Sequence, residues 1–151
     1  MNRLFSKIDS FVEDEKLFSD KDKLLISFSG GADSVLLAQY LLSFMPKENV
    51  HFVYFDHQLR SDSELDSERE FVSKFLLGMD VSFTLKRLPV QLFSDRNSLS
   101  LEEAGRVLRY RHLTHFSHLF SCSHVLTAHH RDDYCESMVF KLIRGSKKGV
   151  Q

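Results

Sequence analysis

Residues 29–34, with the sequence Ser-Gly-Gly-Ala-Asp-Ser, constrain the fold of this chain more than any other stretch. They lie between the apolar runs 24–28 and 35–42, and this order predicts a strand, a tight glycine turn and a helix. Gly30 and Gly31 allow the backbone to approach an anion closely and to adopt positive φ where the turn needs it. Because the N–H groups at a helix start favour negative charge, we expect the turn to bind phosphate.

Three side chains of this turn refine the prediction. Ser29 and Ser34 can donate hydroxyl hydrogen bonds to phosphate oxygens, whereas the carboxylate of Asp33 would repel a bare phosphate. Asp33 suits the site if it holds a Mg²⁺ ion that bridges to the phosphate. The turn is not a Walker A loop, because no lysine follows its last glycine. It is similar to the loop of adenylating enzymes that cleave ATP to AMP and pyrophosphate, and an ordinary surface turn is the alternative.

Strand-like apolar runs alternate with amphipathic stretches along the chain. Strands are predicted at 24–28, 50–55, 81–87 and 124–128. Helices are predicted at 2–14, 34–44, 63–77, 100–120 and 132–143, with a polar loop at 90–98. This order predicts an α/β fold in one domain over 1–151, in which a parallel sheet carries helices on both faces.

Polar residues collect where the predicted strands end. Ligands of such sheets bind beyond the carboxyl ends of the strands. Asp56 follows the second strand, where backbone groups could pair with an adenine edge, and Arg60 could hold phosphate or RNA. An ordinary strand exit lined by solvated residues explains the same segment, so both interpretations remain open.

Residues 127–137 form the second strong signal. His129 follows the fourth predicted strand, and Asp133 and Glu136 lie three residues apart on the next predicted helix, so they share a face. Carboxylates there could bind Mg²⁺ or orient an amine nucleophile, while His129 could polarise a phosphate or accept a proton. N-capping of the helix by an acidic residue is the alternative.

Two arginines three residues apart, Arg106 and Arg109, share a face of the predicted helix over 100–120. Their forked guanidinium groups suit phosphate. Glu102 and Glu103 precede Arg106 at helical spacing, so a solvated surface of ion pairs is an equally good interpretation.

Composition limits the classes of function. No apolar run approaches the ~20 residues that span a membrane, and we expect no membrane partner and a cytoplasmic location. Cys122 and Cys135, the two cysteines, form no C-x-x-C pair. The formal net charge is −1, so any RNA would have to contact local basic patches.

Four segments, taken in order, resemble the N-terminal catalytic domain of bacterial tRNA(Ile)-lysidine synthetases, whose fold is adenine nucleotide alpha hydrolase-like (PP-loop ATPase). They are residues 29–34, 56–60, 102–110, and 127–136 followed by 144–146. The glycine loop alone marks the wider ATP-pyrophosphatase group, whereas the ordered set is more specific. Gly105 and Ser137 are mild departures, because the family usually has Ala and Thr there.

The resemblance implies an ATP-dependent ligase. ATP would adenylate the C2 oxygen of the wobble cytidine in tRNA(Ile) with a CAU anticodon, and free L-lysine would displace AMP to give lysidine. The implied ATP-binding residues are Ser29, Gly30, Gly31, Ala32, Asp33, Ser34, Asp56 and Arg60. The implied Mg²⁺ ligands are Asp33 and Asp133, and the implied catalytic residues are Asp33, Arg106, His129, Asp133 and Glu136.

Two alternatives remain open. The first is another PP-loop enzyme, such as a tRNA 2-thiocytidine enzyme or a glutamine-dependent synthetase; the thiolating type uses paired cysteines, which this sequence does not offer. The second is a truncated, non-catalytic nucleotide-binding module. The chain ends soon after the Arg-Gly-Ser segment, so we expect a catalytic domain truncated at its C-terminus. The oligomeric state is open, with a homodimer among the alternatives.

Overall fold

The computed structural model describes residues 2–59, 62–128 and 140–141 of the chain. In chain order the elements are α1 (Asn2–Asp14), β1 (Leu24–Phe28), α2 (Ala32–Leu41), a 3₁₀ turn (Lys47–Asn49), β2 (Val50–Asp56), α3 (Asp62–Gly78), β3 (Ser82–Arg87), α4 (Val90–Asn97), α5 (Leu101–Leu119), β4 (His124–Thr127) and β5 (Phe140–Lys141). The sheet has the order β3-β2-β1-β4-β5, and its first four strands are parallel. The predicted α/β class is confirmed.

Helices cover both faces of the sheet, as predicted. Side chains alternate between the faces of a strand, so Leu24, Ile26 and Phe28 of β1 face one core and Leu25 faces the other. The first core takes in apolar residues of α1, α2 and α3, and the second takes in those of α4 and α5. A strand buried on both faces needs apolar residues at successive positions, and the sequence of β1 has that pattern.

The strand order reverses beside β1. The chain passes from β1 to β2 and β3 on one side, then crosses to place β4 against the other edge of β1. In the register of the sheet, Leu24 is opposite Val50 of β2 and His124 of β4. The carboxyl ends of β1 and β4 therefore border a topological switch point, where open α/β sheets bind their ligands.

The predicted polar loop over 90–98 is wrong, because Val90–Asn97 is a helix. Pro89 precedes its first residue, and the fixed φ of proline suits that position. Val90 and Phe93, three residues apart, pack into the second core, and Ser98 ends the helix in a left-handed conformation (φ 54°). Three apolar residues within the first four positions, followed by a polar run, gave too little periodicity to reveal this helix.

The predicted helix over 132–143 is wrong at Phe140–Lys141, which form a short strand antiparallel to β4. The other residues of that prediction lie outside the described ranges. Residues 138–140 read Met-Val-Phe, and a short apolar run of this kind fits a buried strand as well as a helix.

The predicted helix start at Ser100 is confirmed. Its side chain accepts from the backbone N–H of Glu103, while the Glu103 carboxylate accepts from the backbone N–H of Ser100 at 3.1 Å. This reciprocal pair fixes the beginning of α5 near the carboxyl ends of the strands. Within the described part of the chain, no helix has the length and apolarity needed to cross a membrane.

Candidate nucleotide-binding site

The glycine loop after β1 requires glycine at position 30. Gly30 has φ of +79°, a conformation that L side chains rarely adopt. A Cβ at this position would lie 3.1 Å from Cγ2 of Val72, which belongs to the buried face of α3. Both the backbone conformation and the close approach of α3 therefore exclude larger residues, and the predicted positive-φ turn is present.

Serine side chains hold the loop in shape. The hydroxyl of Ser34 donates to the carbonyl of Gly31 at 2.9 Å, and the hydroxyl of Ser29 donates to Ser34 Oγ at 3.1 Å. The backbone N–H of Gly31 donates to Ser29 Oγ at 3.3 Å. Ser34 is buried and Ser29 is exposed, so Ser29 is the better placed of the two to reach a phosphate.

The loop presents the start of α2 to solvent. Gly31 is the N-cap and makes no side-chain cap hydrogen bond, and Ala32 and Asp33 in the first turn are exposed. The first four N–H groups of a helix have no partner within it, and the helix dipole adds positive potential there. The exposed start of α2 therefore lies at the switch point of the sheet, and phosphate binding there stays a prediction.

The carboxylate of Asp56, at the end of β2, is buried with 3% of the residue exposed. Arg69 of α3 binds its Oδ2 through Nε at 2.9 Å and also through a second, shorter hydrogen bond. The backbone N–H of Gln58 donates to Oδ1 at 2.9 Å, in a residue with φ of 54°. Asp56 therefore fixes the path of the chain beyond β2, and its predicted contact with the nucleotide stays a prediction.

His57 lies under the N-terminal half of α5. A Cβ added to Gly105 would lie 3.4 Å from Nδ1 of His57, so the absence of a side chain at Gly105 brings the helix close to the end of β2. Burial lowers the pKa of His57, and the positive charge of Arg109 acts in the same direction, against the opposing effect of Asp56 and Glu68. Half-buried Arg106 follows Gly105 on this part of α5.

Because the pKa of His57 is lowered by folding, its contribution to stability is complete above its ordinary value of about 6.5 and is lost as the pH falls. Below that value the unfolded chain binds a proton that the folded chain resists. We expect the free energy of unfolding, measured by urea denaturation, to fall between pH 7.5 and pH 5.5 in the unsubstituted protein. In His57→Asn this fall should be smaller. Thr114→Asn, at an exposed position of α5, changes no titratable group; it is the control and should keep the original slope. Equal slopes for His57→Asn and the unsubstituted protein would contradict this assignment.

His112 of α5 lies within electrostatic reach of Lys86 of β3 and of Arg111. Burial lowers the pKa of His112, and so do the neighbouring charges of Lys86, His115 and Arg111. Arg111 also lies over the ring of Phe93, with its guanidinium carbon 5.3 Å from the ring centroid. Lys86 and Arg111 therefore place positive charge beside a histidine whose neutral form is favoured.

A model of the PP-loop domain family matches residues 1–151. The chain belongs to the PP-loop domain family. The match agrees with the glycine loop at the switch point of the sheet, and it supports nucleotide binding.

Curated relatives of this PP-loop domain carry the name tRNA(Ile)-lysidine synthase. Those of Petrotoga mobilis and Thermosipho africanus are each 32% identical, over 143 and 148 residues. The matched regions cover 93% and 97% of this chain but 45% and 34% of those proteins, so the chain spans less than half the length of these relatives. The resemblance found in the ordered motifs is confirmed.

Solved structures with the same fold include an NH3-dependent NAD synthetase from Campylobacter jejuni (TM-score 0.68, 18% identity) and a U34-tRNA thiolase from Methanococcus maripaludis (TM-score 0.60, 19% identity). The likeness covers 88% and 87% of this chain, and 58% and 48% of the two structures. At such identity the likeness concerns the fold alone, and it agrees with the predicted class.

Part of the predicted site lies outside the described residues of the PP-loop domain. This holds for four predicted residues: Arg60, His129, Asp133 and Glu136. Among the described residues, no group of three or more His, Cys, Asp or Glu side chains is close enough together to hold a metal ion. Of the two proposed Mg²⁺ ligands, Asp33 is the one that lies within the described ranges.

Sequence reasoning missed two residues of this region, both on α3. Arg69 binds the buried carboxylate of Asp56, and Phe71 lies beside Gly30. The only sequence signal was indirect: an acidic residue that ends an apolar strand needs a cationic or N–H partner if it is buried. The sequence does not say which arginine supplies it.

Proposed function

We propose that this PP-loop domain forms lysidine at the wobble cytidine of tRNA(Ile) with a CAU anticodon. The C2 oxygen of cytidine attacks the α-phosphorus of ATP, and pyrophosphate leaves. The amine of L-lysine then attacks C2, AMP leaves with the C2 oxygen, and the amine loses its protons to solvent or a base. The observation that carries the proposal is the exposed glycine loop at the start of α2, combined with relatives named tRNA(Ile)-lysidine synthase along nearly the whole chain.

The described residues support a binding mode for the triphosphate. The N–H groups that begin α2, together with the exposed hydroxyl of Ser29, would bind phosphate oxygens. Asp33 lies in the first turn and supplies the carboxylate oxygen that Mg²⁺ prefers, with Asp133 as its proposed second ligand. A bound Mg²⁺ would neutralise charge on the phosphate chain. Asp56 and Arg60 remain the proposed residues beside the rest of the nucleotide.

The remaining roles follow the family resemblance. Arg106 is proposed to contact ATP or the reacting cytidine, since a guanidinium stabilises charge that develops on phosphate. His129, Asp133 and Glu136 are proposed to shape the lysine site, where carboxylates would compensate the ammonium group until it loses a proton.

Lys86 of β3 and Arg111 of α5 are proposed to contact phosphates of the RNA substrate. Both act electrostatically on His112, although the chain as a whole is slightly acidic. Phosphate contacts dominate the affinity of proteins for nucleic acids, so local cations of this kind would contribute to RNA binding.

Sulfur chemistry finds less support. Burial raises the pKa of the Cys122 thiol to about 11, so this cysteine is protonated and unreactive near neutral pH. Cys135 lies outside the described ranges. The relatives named tRNA(Ile)-lysidine synthase favour lysine as the nucleophile.

The proposal is tested by AMP release with ATP, Mg²⁺ and a tRNA(Ile) transcript that carries a CAU anticodon. We expect release to require both L-lysine and the tRNA, and to fall to background with a matched transcript whose wobble base is uridine. Equal AMP release with sulfide or glutamine in place of lysine would favour another PP-loop enzyme. ATP binding without AMP release under any of these conditions would instead indicate a non-catalytic nucleotide-binding module.

A further inference from the structure

An exposed aromatic ring lies directly beside the glycine loop. A Cβ at Gly30 would be 3.7 Å from Cε1 and 3.8 Å from Cδ1 of Phe71. Phe71 is 51% exposed, so one side of its ring is open to solvent. The ring therefore borders both the predicted phosphate site and solvent.

This ring is also firmly supported. Phe71 stacks on Phe75 with ring centroids 6.0 Å apart and an interplanar angle of 26°. Phe75 in turn stacks on Phe28, with centroids 5.6 Å apart and an angle of 12°. Phe28 is buried and is the last residue of β1, immediately before the loop. The row of rings runs from the core to the surface and ends at the loop.

A nucleobase is stabilised by stacking on an aromatic ring, whereas phosphate and Mg²⁺ have no flat face to stack. Bases stack on aromatic side chains whatever their sequence, because every base has a π face. A ring held by stacked neighbours loses little conformational freedom when a base settles on it.

We propose that the ring of Phe71 is the stacking platform for an unpaired nucleobase at the glycine loop. The base is either the adenine of ATP or a base of the RNA strand, since both offer the same π face. The inference rests on the proposed function, because it assumes that ATP and RNA meet at this loop.

Fluorescence gives a direct test, because the sequence contains no tryptophan. In Phe71→Trp the introduced indole is the only one, and a stacked base should quench it. The matched control is Leu77→Trp, on the same helix and 65% exposed. The ligands are ATP, inorganic pyrophosphate, and an RNA anticodon stem–loop with a CAU anticodon.

We expect ATP or the stem–loop to quench Phe71→Trp, and the ligand that does so identifies the source of the base. Pyrophosphate should leave the emission unchanged, because it occupies the loop without a base. Leu77→Trp should respond to none of the three. If radiolabelled ATP and stem–loop both bind and the emission of Phe71→Trp does not change, the inference fails while the proposed function stands.

Kinetics provide a second readout. Phe71→Leu should raise the KM of the ligand that stacks by about 10-fold or more, with little change in kcat, and Phe71→Tyr should restore it. An unchanged KM for both ATP and tRNA in Phe71→Leu would overturn the inference. Absence of lysine-dependent AMP release by the unsubstituted protein is a separate result, which overturns the proposed function and leaves quenching by ATP as a valid test of the platform.

Discussion

Replacing Gly30 with alanine is expected to lower kcat/KM for lysine-dependent AMP release by about 100-fold or more. A residue with a Cβ resists φ of +79°, at a cost of roughly 1–2 kcal/mol, and the Cβ would lie 3.1 Å from Val72. The loop must shift to relieve both, and a displacement of about 1 Å at a positioning element can cost on the order of 100-fold in rate.

Glycine-to-alanine changes elsewhere separate this effect from a general loss of stability. Gly78, at the end of α3, has no atom within 4 Å of an added Cβ, so Gly78→Ala should keep its activity within about twofold. Gly31 has φ of −74° and would place its Cβ 3.4 Å from Ser29 Oγ, so Gly31→Ala should fall between the two. Activity of Gly30→Ala within threefold of the unsubstituted protein, at equal folded fraction by circular dichroism, would contradict the role of the loop.

The loop could be predicted from the sequence because all of its determinants are local. A buried strand, two glycines and a helix start follow one another within about a dozen residues, and their order alone specifies the turn. The capping box at Ser100 and Glu103 was equally local, because its two partners are three residues apart. Such signals require no knowledge of how distant segments meet.

The contacts that the sequence did not reveal join residues that are far apart in the chain. Arg69 binds Asp56, which lies 13 residues earlier in the chain. Phe71 lies beside Gly30, although α2 and β2 separate the two residues in the sequence. Both depend on the packing of α3 against the sheet, which tertiary structure decides. Helix α4 was missed for a related reason: its stability comes from burial of Val90 and Phe93 in the second core rather than from its own sequence pattern.

Replacing Arg69 with alanine is expected to lower the melting temperature by on the order of 10 °C. The change leaves the carboxylate of Asp56 buried without its main cation, and an uncompensated buried charge is among the costliest defects in a fold. Arg87 lies 3.9 Å from the same oxygen and is largely exposed, so it can compensate only in part. The chain beyond β2 should loosen, because Gln58 is held by that carboxylate.

Two further variants separate the buried charge from the rest of the network. Arg69 also binds Asp66 at 2.8 Å, but the side chain of Asp66 is 71% exposed, so Asp66→Ala should lower the melting temperature by about 2 °C or less. Combining Arg69→Met with Asp56→Asn removes both charges together, and this double variant should be more stable than Arg69→Ala because no buried carboxylate is left unpaired. Equal melting temperatures for Arg69→Ala and Asp66→Ala would mean that Asp56 does not need its cation, since a buried charge that tolerates the loss of Arg69 must already be compensated elsewhere.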